Sequence, residues 1–174
     1  MRALLGGEDR LRYEQLVAEV EQAVWEMESV TADLARVIAT GIGDALPRPA
    51  GPVELSDVVA AALRGVGDAL VSRGLTVDVA AAPAVLALGD RERLEHLLAV
   101  ALSVAASAAQ PGGGARVACA ASGGSVDVTI CPYRARDPRT VIVAALAHSQ
   151  GAVMQSDDSA LILRLHAAVS ASQA

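Results

Sequence analysis

The amino-acid sequence predicts an α+β fold: a two-layer sandwich with a mixed, mostly antiparallel sheet, three helices on one face, and a long helix before it. Three observations predict this class. Apolar residues recur every three or four positions over residues 8–42. A segment rich in proline and glycine, "GIGDALPRPAGP", then ends that pattern. Strand and helix patterns follow in the order β-α-β-β-α-β-β-α-β-β, which is typical of helices packed on one side of a sheet.

The N-terminal segment, residues 8–42, is predicted to be a coiled-coil dimerisation helix. Its apolar positions alternate steps of four and three, which is the heptad seam of a coiled coil. The seam needs a partner, which is either a second copy of the chain or the body of the same chain, and its regularity favours a homodimer. Residues 43–52 are predicted to be a linker and residues 53–168 one domain. The predicted dimer contacts are Val17, Val20, Val24, Met27, Thr31, Leu34 and Ile38.

The body is predicted to begin with a strand, a helix and two further strands. "VEL" is the short strand, Ser56 is the predicted N-cap of the helix, and Gly74 is its predicted end. "LTVDVA" alternates apolar and polar residues, and "VLAL" follows after a turn at Pro83, so a strand pair is predicted between two helices. The predicted buried face of the helix consists of Val58, Val59, Ala62, Leu63, Val66 and Leu70.

The second half of the body is predicted to contain two hairpins and two helices. A helix over residues 90–109 leads into the hairpin "ARVACAASGGSVDVTIC". Its turn near "SGG" would pair Cys119 with about Asp127, so Cys131 is offset and both thiols are predicted to be reduced. "DPRTVIVAALAHSQG" is the last helix, and "AVMQS" with "ALILRLHA" is the last hairpin. The residues predicted to face inward in the first hairpin are Val117, Cys119, Val126, Val128 and Ile130.

Composition excludes several classes of function. With 14 basic and 20 acidic side chains, the net charge of −6 disfavours binding to a nucleic-acid backbone, and 2% aromatic residues provide no platform for stacking bases. No apolar run is long enough to span a membrane, so a cytoplasmic location is predicted. The histidines, His96, His148 and His166, lack the spacing of metal ligands, and neither a metal nor a cofactor is predicted.

Four stretches carry a resemblance to a known family. "VELSDVVAAAL", "RGLTVDV", "GDRERLEHLL" and "AQPGGG" resemble, in this order, the catalytic ATP-binding domain of sensor histidine kinases. These kinases belong to the GHKL superfamily, whose Bergerat fold is shared with gyrase-type and chaperone ATPases. The resemblance covers about residues 53–166, and its most specific matches are Gly89, Asp90, Arg93 and Leu94. The N-terminal helix corresponds in position to the second half of the kinases' dimerisation and phosphoacceptor hairpin, but it contains no histidine.

The same resemblance places the nucleotide ligands at residues that cannot replace them. The two asparagine positions, the second of which helps to hold magnesium in the family, fall at Val100 and Val104, and aliphatic groups bind no magnesium. The adenine-binding aspartate falls at about Pro132, and the lid is shortened to "YRARDPR". The resemblance therefore implies a pseudo-ATPase without catalytic residues. The residues of its vestigial nucleotide cleft are Val100, Val104, Ser107, Pro132 and Arg134.

These observations together predict a non-catalytic signalling module, a homodimer that binds a protein partner and not ATP. The partner is predicted to be a signalling protein, with a receiver domain as one candidate. Two alternatives stay open: a histidine phosphotransferase of a two-component phosphorelay, and a divergent ATPase related to histidine kinases. Arg134, Arg136 and Arg139 form a compact basic cluster that either binds an acidic partner surface or solubilises the shortened lid.

Overall fold

A computed structural model of the chain describes residues 7–39, 50–81 and 85–168. The order of helices and strands is the predicted one. Most of the predicted linker, residues 43–52, lies outside the described residues. The elements are α1 (Gly7–Ala39), β1 (Gly51–Glu54), α2 (Leu55–Ser72), β2 (Thr76–Ala81), β3 (Leu86–Gly89), α3 (Arg91–Ala108), β4 (Gly114–Ser122), β5 (Ser125–Cys131), α4 (Thr140–Ser149), β6 (Val153–Ser156) and β7 (Leu161–His166).

The strands form a five-stranded sheet and a two-stranded sheet. The larger sheet has the order β2-β4-β5-β7-β6, and β2 is the strand that pairs in parallel, so the mixed, mostly antiparallel character is confirmed. β1 pairs with β3. The predicted pairing of the two strands between α2 and α3 is wrong, because β2 pairs along its whole length with β4 and leaves β3 to β1. The small sheet is tied to the larger one by Ala168, whose N–H donates to the carbonyl oxygen of Leu86 at 3.0 Å.

One face of the five-stranded sheet is buried and the other is exposed to solvent. Alternate side chains of the central strands pack under the helices, as expected for a sheet with one covered face. Two ion pairs, Asp78 with Arg116 and Asp127 with Arg164, lie on the opposite face. All five residues of the β4–β5 hairpin that the sequence predicted to face inward are buried, which are Val117, Cys119, Val126, Val128 and Ile130. The buried face also includes Ala115, Leu161, Leu163 and Leu165.

The β4–β5 hairpin turns at Gly123 and Gly124, whose φ angles of 55° and 84° are readily adopted only by glycine. Cys119 lies opposite Val128, so the predicted pairing with Asp127 is wrong by one residue, because the turn centres on the two glycines. Both cysteines are free, and burial raises the pKa of the Cys119 thiol.

Helix α2 begins earlier than predicted. The cap position is Glu54, and the Ser56 hydroxyl donates to the Glu54 carboxylate instead of capping the helix. The cause is Leu55, which is fully buried and whose N–H donates to the carbonyl oxygen of Val85, so that β1 runs directly into α2. The predicted end is confirmed, since Gly74 follows the helix with a φ of +62°.

Helix α1 contacts the body at Gln22, and at Met27, Val30 and Thr31 it borders the loop that contains Pro138 and Arg139. Among its described side chains, Gln22 and Val30 are partly buried, and the Arg73 guanidinium donates to the Gln22 Oε1 at 3.1 Å. No helix in the described residues combines the length and hydropathy that crossing a bilayer requires. The side chains of Leu34 and Ile38 lie outside the described residues. Exposed seam residues, on the far side of the helix from Gln22, are Tyr13, Val17, Val20, Val24, Met27 and Thr31.

Candidate functional site

The start of α3 contains the residues that carry the most specific sequence matches, and their contacts explain three of them. A Cβ atom at Gly89 would lie 2.6 Å from the Leu94 Cδ1, so a larger residue there would collide with a fully buried side chain. The Asp90 Oδ1 accepts the Arg93 N–H at 3.2 Å and caps the helix. The Asp90 N–H donates to the Gln150 Oε1 at 2.9 Å, which ties α3 to the end of α4. Gly89, Asp90 and Leu94 therefore have structural roles that need no nucleotide.

The second half of α3 is buried along its whole circumference, from Leu97 to Ser107. Val100 and Val104, the predicted asparagine positions, have no exposed surface. Ser103 and Ser107 bring two hydroxyl groups into this apolar surrounding, one helical turn apart. Each donates to the carbonyl oxygen three residues earlier at 2.8 Å. A buried hydroxyl oxygen keeps the capacity to accept a further hydrogen bond.

Those hydroxyls contact an ion pair from the loop between β5 and α4. The Arg139 Nε donates to the Asp137 Oδ1 at 2.9 Å, and Nη2 donates to Oδ2 at 2.7 Å. Nη2 also donates to the Ser107 Oγ at 2.7 Å, while Nη1 donates to the Ser103 Oγ at 3.4 Å. The Arg139 side chain is 1% exposed. We name Ser103, Ser107, Asp137 and Arg139 the buried polar cluster.

The aspartate of the buried polar cluster is held in its charged form. Burial alone raises the pKa of the Asp137 carboxyl, but hydrogen bonds from the Arg139 guanidinium and N–H, the Arg139 charge and the Ser107 hydroxyl together lower it below its usual range. Such pairing is what allows two charges to exist out of water.

The loop that carries the pair has no regular secondary structure but is well fastened. The Asp137 N–H donates to the carbonyl oxygen of Arg134 at 3.0 Å, and the Thr140 N–H donates to that of Asp137 at 2.9 Å. Tyr133 is fully buried, its hydroxyl lies 3.3 Å from the Thr140 Oγ1, and burial raises its pKa. Both ends of the loop are therefore anchored in the core.

The structure brings most of the predicted cleft residues together. Val100, Val104 and Ser107 share the buried half of α3, and the loop containing Pro132 and Arg134 reaches the same helix through the buried polar cluster. Pro132 is partly buried and Arg134 is exposed. At Ser107 the loop contacts α3 directly through the Arg139 guanidinium, whose Nη2 donates to the Ser107 Oγ at 2.7 Å.

The predicted basic cluster is wrong for Arg139. Arg134 and Arg136 are exposed, but Arg139 points inward because Asp137 and the two serine hydroxyls satisfy its guanidinium. Sequence reasoning missed this cluster. Two hydroxyls four residues apart on an otherwise apolar helix were the available signal, because buried polar groups are almost always hydrogen-bonded.

A metal centre has no support in the described ranges, where no three His, Cys, Asp or Glu side chains lie close enough together to hold an ion.

The fold is that of a histidine-kinase-type ATPase domain. The histidine kinase AdeS of Acinetobacter baumannii is 13% identical with a TM-score of 0.61, and the match covers 93% of this chain and 85% of that one. A histidine kinase of Burkholderia phymatum is 18% identical with a TM-score of 0.58, covering 89% and 85%. The mycobacterial sensor histidine kinase MprB is 17% identical with a TM-score of 0.56, covering 68% and 97%. No protein-family model matches the sequence, and no curated protein matches it.

Proposed function

We propose that the chain is a non-catalytic cytoplasmic signalling module built on the histidine-kinase fold, which binds a protein partner and not ATP. The observation that supports this most is the buried polar cluster. It fills the space beside α3 at Ser107, and the neighbouring Val100 and Val104 offer neither exposed surface nor an oxygen ligand. Magnesium bound with a nucleotide requires oxygen ligands, which these side chains lack.

The energetics point the same way. Admitting a nucleotide beside Ser107 would separate Arg139 from Asp137, and breaking a buried ion pair is unfavourable by roughly 3 to 5 kcal/mol. Micromolar binding corresponds to only about 8 kcal/mol in total. The displaced ion pair would therefore cancel a large share of any nucleotide affinity.

Titration calorimetry with magnesium-ATP tests the proposal. We expect no saturable heat up to millimolar nucleotide. Val104→Asn, which restores one amide oxygen, should not rescue binding, because Pro132 still offers adenine no carboxylate. A saturable heat with micromolar affinity for the unmodified chain would show that the protein is an ATP-binding domain after all.

We also propose that the chain is a homodimer joined through α1. The seam residues Tyr13, Val17, Val20 and Val24 are exposed and lie on the opposite side of α1 from Gln22, whereas Met27 and Thr31 border the body's loop at Pro138 and Arg139. Contiguous exposed apolar surface of this kind is typical of an interaction site. A second copy of the same helix offers a matching heptad seam.

Substitution of the seam tests the dimer. Val24→Glu or Met27→Glu should give a monomer with a folded body, because each places an unpaired carboxylate in an apolar interface. Ala18→Glu is the matched control, since Ala18 is exposed and outside the seam. Light scattering gives the mass and circular dichroism the fold, and a monomeric parent chain would contradict the proposal.

A further inference from the structure

A depression of about 460 Å³ lies beside the loop after β5 and is lined by Arg134, Arg136, Asp137, Pro138 and Asp158. Arg134 and Arg136 are exposed, and within the described ranges neither guanidinium lies at ion-pair distance from a carboxylate. The depression therefore carries two guanidinium groups without an ion pair in the described ranges, on a chain whose net charge is −6.

The loop that carries Arg134 and Arg136 is held in place by the residues on its buried side. Asp137 lines the depression and also forms the buried ion pair with Arg139. The depression and the buried polar cluster therefore share this residue. The Arg134 carbonyl oxygen accepts hydrogen bonds from the Asp137 N–H at 3.0 Å and from the Thr140 hydroxyl at 3.3 Å. Pro138 adds a fixed φ angle. The backbone that presents Arg134 and Arg136 is thus fastened to α3 and α4.

The rigid backbone of this loop favours a binding role for the two arginines over a role in solubility alone. Charged side chains improve solubility wherever they point, so solubility alone requires no rigid loop. A buried ion pair is often no more stabilising than apolar residues of the same size, so its presence suggests a role in defining one conformation. Groups that are already ordered lose less entropy when they bind.

The chemistry of the depression indicates its ligand. Guanidinium groups bind carboxylates and phosphates through paired hydrogen bonds. Asp158 lies on the same depression and repels a small, highly charged anion, but it can accept hydrogen bonds from the backbone N–H groups of a peptide. A polypeptide segment with acidic side chains provides both kinds of group.

We propose that the loop surface formed by Arg134, Arg136 and Asp158 docks an acidic segment of a protein partner, and that Arg139 is a positioning residue for it. The proposal rests on the proposed function, since it names the surface and the chemistry through which a partner binds. Arg139 does not touch the partner; it acts by holding Asp137, and through it the loop.

Fluorescence anisotropy of a labelled hexaglutamate peptide, titrated with the full chain at about 10 mM salt, tests the docking surface. We expect saturable binding that Arg134→Gln with Arg136→Gln weakens about tenfold or more. Arg116→Gln with Arg164→Gln is the matched control, because it removes the same charge from the outer face of the sheet and should change the affinity little. Equal weakening by both pairs, or no saturable binding, would overturn the proposal. Competition by inorganic phosphate at equal charge concentration would identify a phosphate ligand and would also overturn it.

Arg139→Met tests the positioning role. We expect unchanged circular dichroism, a weaker peptide affinity, and faster tryptic cleavage after Arg134 or Arg136; Arg139→Lys should lie between. If Arg139→Met does not fold, Ser107→Ala removes one hydrogen bond of the cluster and should shift affinity and cleavage in the same direction. A released loop with unchanged affinity would show that Arg139 does not position the surface. Calorimetry with magnesium-ATP on the same samples separates the proposals, because ATP binding would refute the pseudo-ATPase whether or not the peptide binds.

Discussion

Two bidentate pairs of arginine and aspartate have nearly the same geometry in very different surroundings. In Arg139 with Asp137 the two N–O distances are 2.9 and 2.7 Å, and in Arg164 with Asp127 they are 2.7 and 2.8 Å. The side chains of the first pair are 1% and 9% exposed, and those of the second are 52% and 25% exposed. Hydrogen-bond geometry therefore cannot distinguish the two pairs, whereas access of water does.

The pairs also differ in what holds their backbones. Asp127 and Arg164 lie directly opposite each other on β5 and β7, so the sheet places both residues whether or not they pair. Asp137 and Arg139 lie in a loop without a strand partner, and the pair is part of what fixes that loop to α3. The same kind of ion pair is thus a consequence of the fold at one site and a cause of local structure at the other.

The largest effect should come from Arg139→Met, which leaves the Asp137 carboxylate buried without its counter-ion. We expect the free energy of unfolding to fall by about 3 kcal/mol or more, measured by urea denaturation. A loss below about 1 kcal/mol, which is typical of exposed pairs, would mean that water reaches Asp137 freely and that burial does not strengthen this pair.

A smaller loss should follow when both charges are removed together. Arg139→Met with Asp137→Leu should be less destabilising than Arg139→Met alone, because no isolated charge remains buried and the serine hydroxyls still donate to their own helix. A double-mutant cycle in urea measures the coupling between the two residues. Strictly additive losses would contradict a direct interaction between them.

The pH dependence of stability should be weaker in Asp137→Asn than in the unmodified chain. The pKa of Asp137 is lowered in the folded state, so its carboxylate stabilises the fold above the ordinary aspartate pKa of about 3.9 and loses this effect as the pH falls below it. The pKa of Asp127 is lowered mainly by the hydrogen bond from the exposed Arg164, and burial opposes this less than it does at Asp137. Urea midpoints should be measured between about pH 3 and 6 at high salt, which screens exposed charges much more than buried ones. Under these conditions the contribution of Asp137 to stability should persist and that of Asp127 should become small. If high salt removed the contribution of Asp137 and left that of Asp127, the attribution of the pH dependence to the buried aspartate would be contradicted.

Arg164→Met should have the smallest effect. The buried residues of β7, which include Leu163 and Leu165, hold the strand without the ion pair, and solvent screens the charges. The urea midpoint should stay within experimental scatter of the parent value. A loss comparable to that of Arg139→Met would show that burial does not decide the weight of these pairs.

Local patterns in the sequence were sufficient for much of the fold. The alternation of Val126, Val128 and Ile130 predicted the buried face of β5, because side-chain direction in a strand depends only on position along it. Pairing was harder, since β2 finds its partner beyond α3 and nothing within "LTVDVA" encodes that choice. The Ser56 cap failed for a similar reason, because Leu55 is held by Val85, thirty residues away in sequence.

The candidate site was predicted only in part. The aliphatic character of Val100 and Val104 could be seen in the sequence once the resemblance set the register. The direction of Arg139 could not, because three arginines in "RARDPR" look alike until α3 supplies hydroxyl groups to one of them. Contacts between residues so distant in the chain depend on the packing of the whole body.

The position of β7 has a consequence for how the protein is made. Among the described strands, β7 is the last in sequence, yet it lies between β5 and β6 in the sheet and is the strand with which β6 pairs. During synthesis, β2, β4 and β5 can associate as soon as they leave the ribosome, but the inner edge of β5 stays open until residues 161–166 follow. An open edge beside a hydrophobic face invites pairing with other chains. Nascent chains stalled before residue 161 should therefore depend on chaperones far more than chains that have released β7.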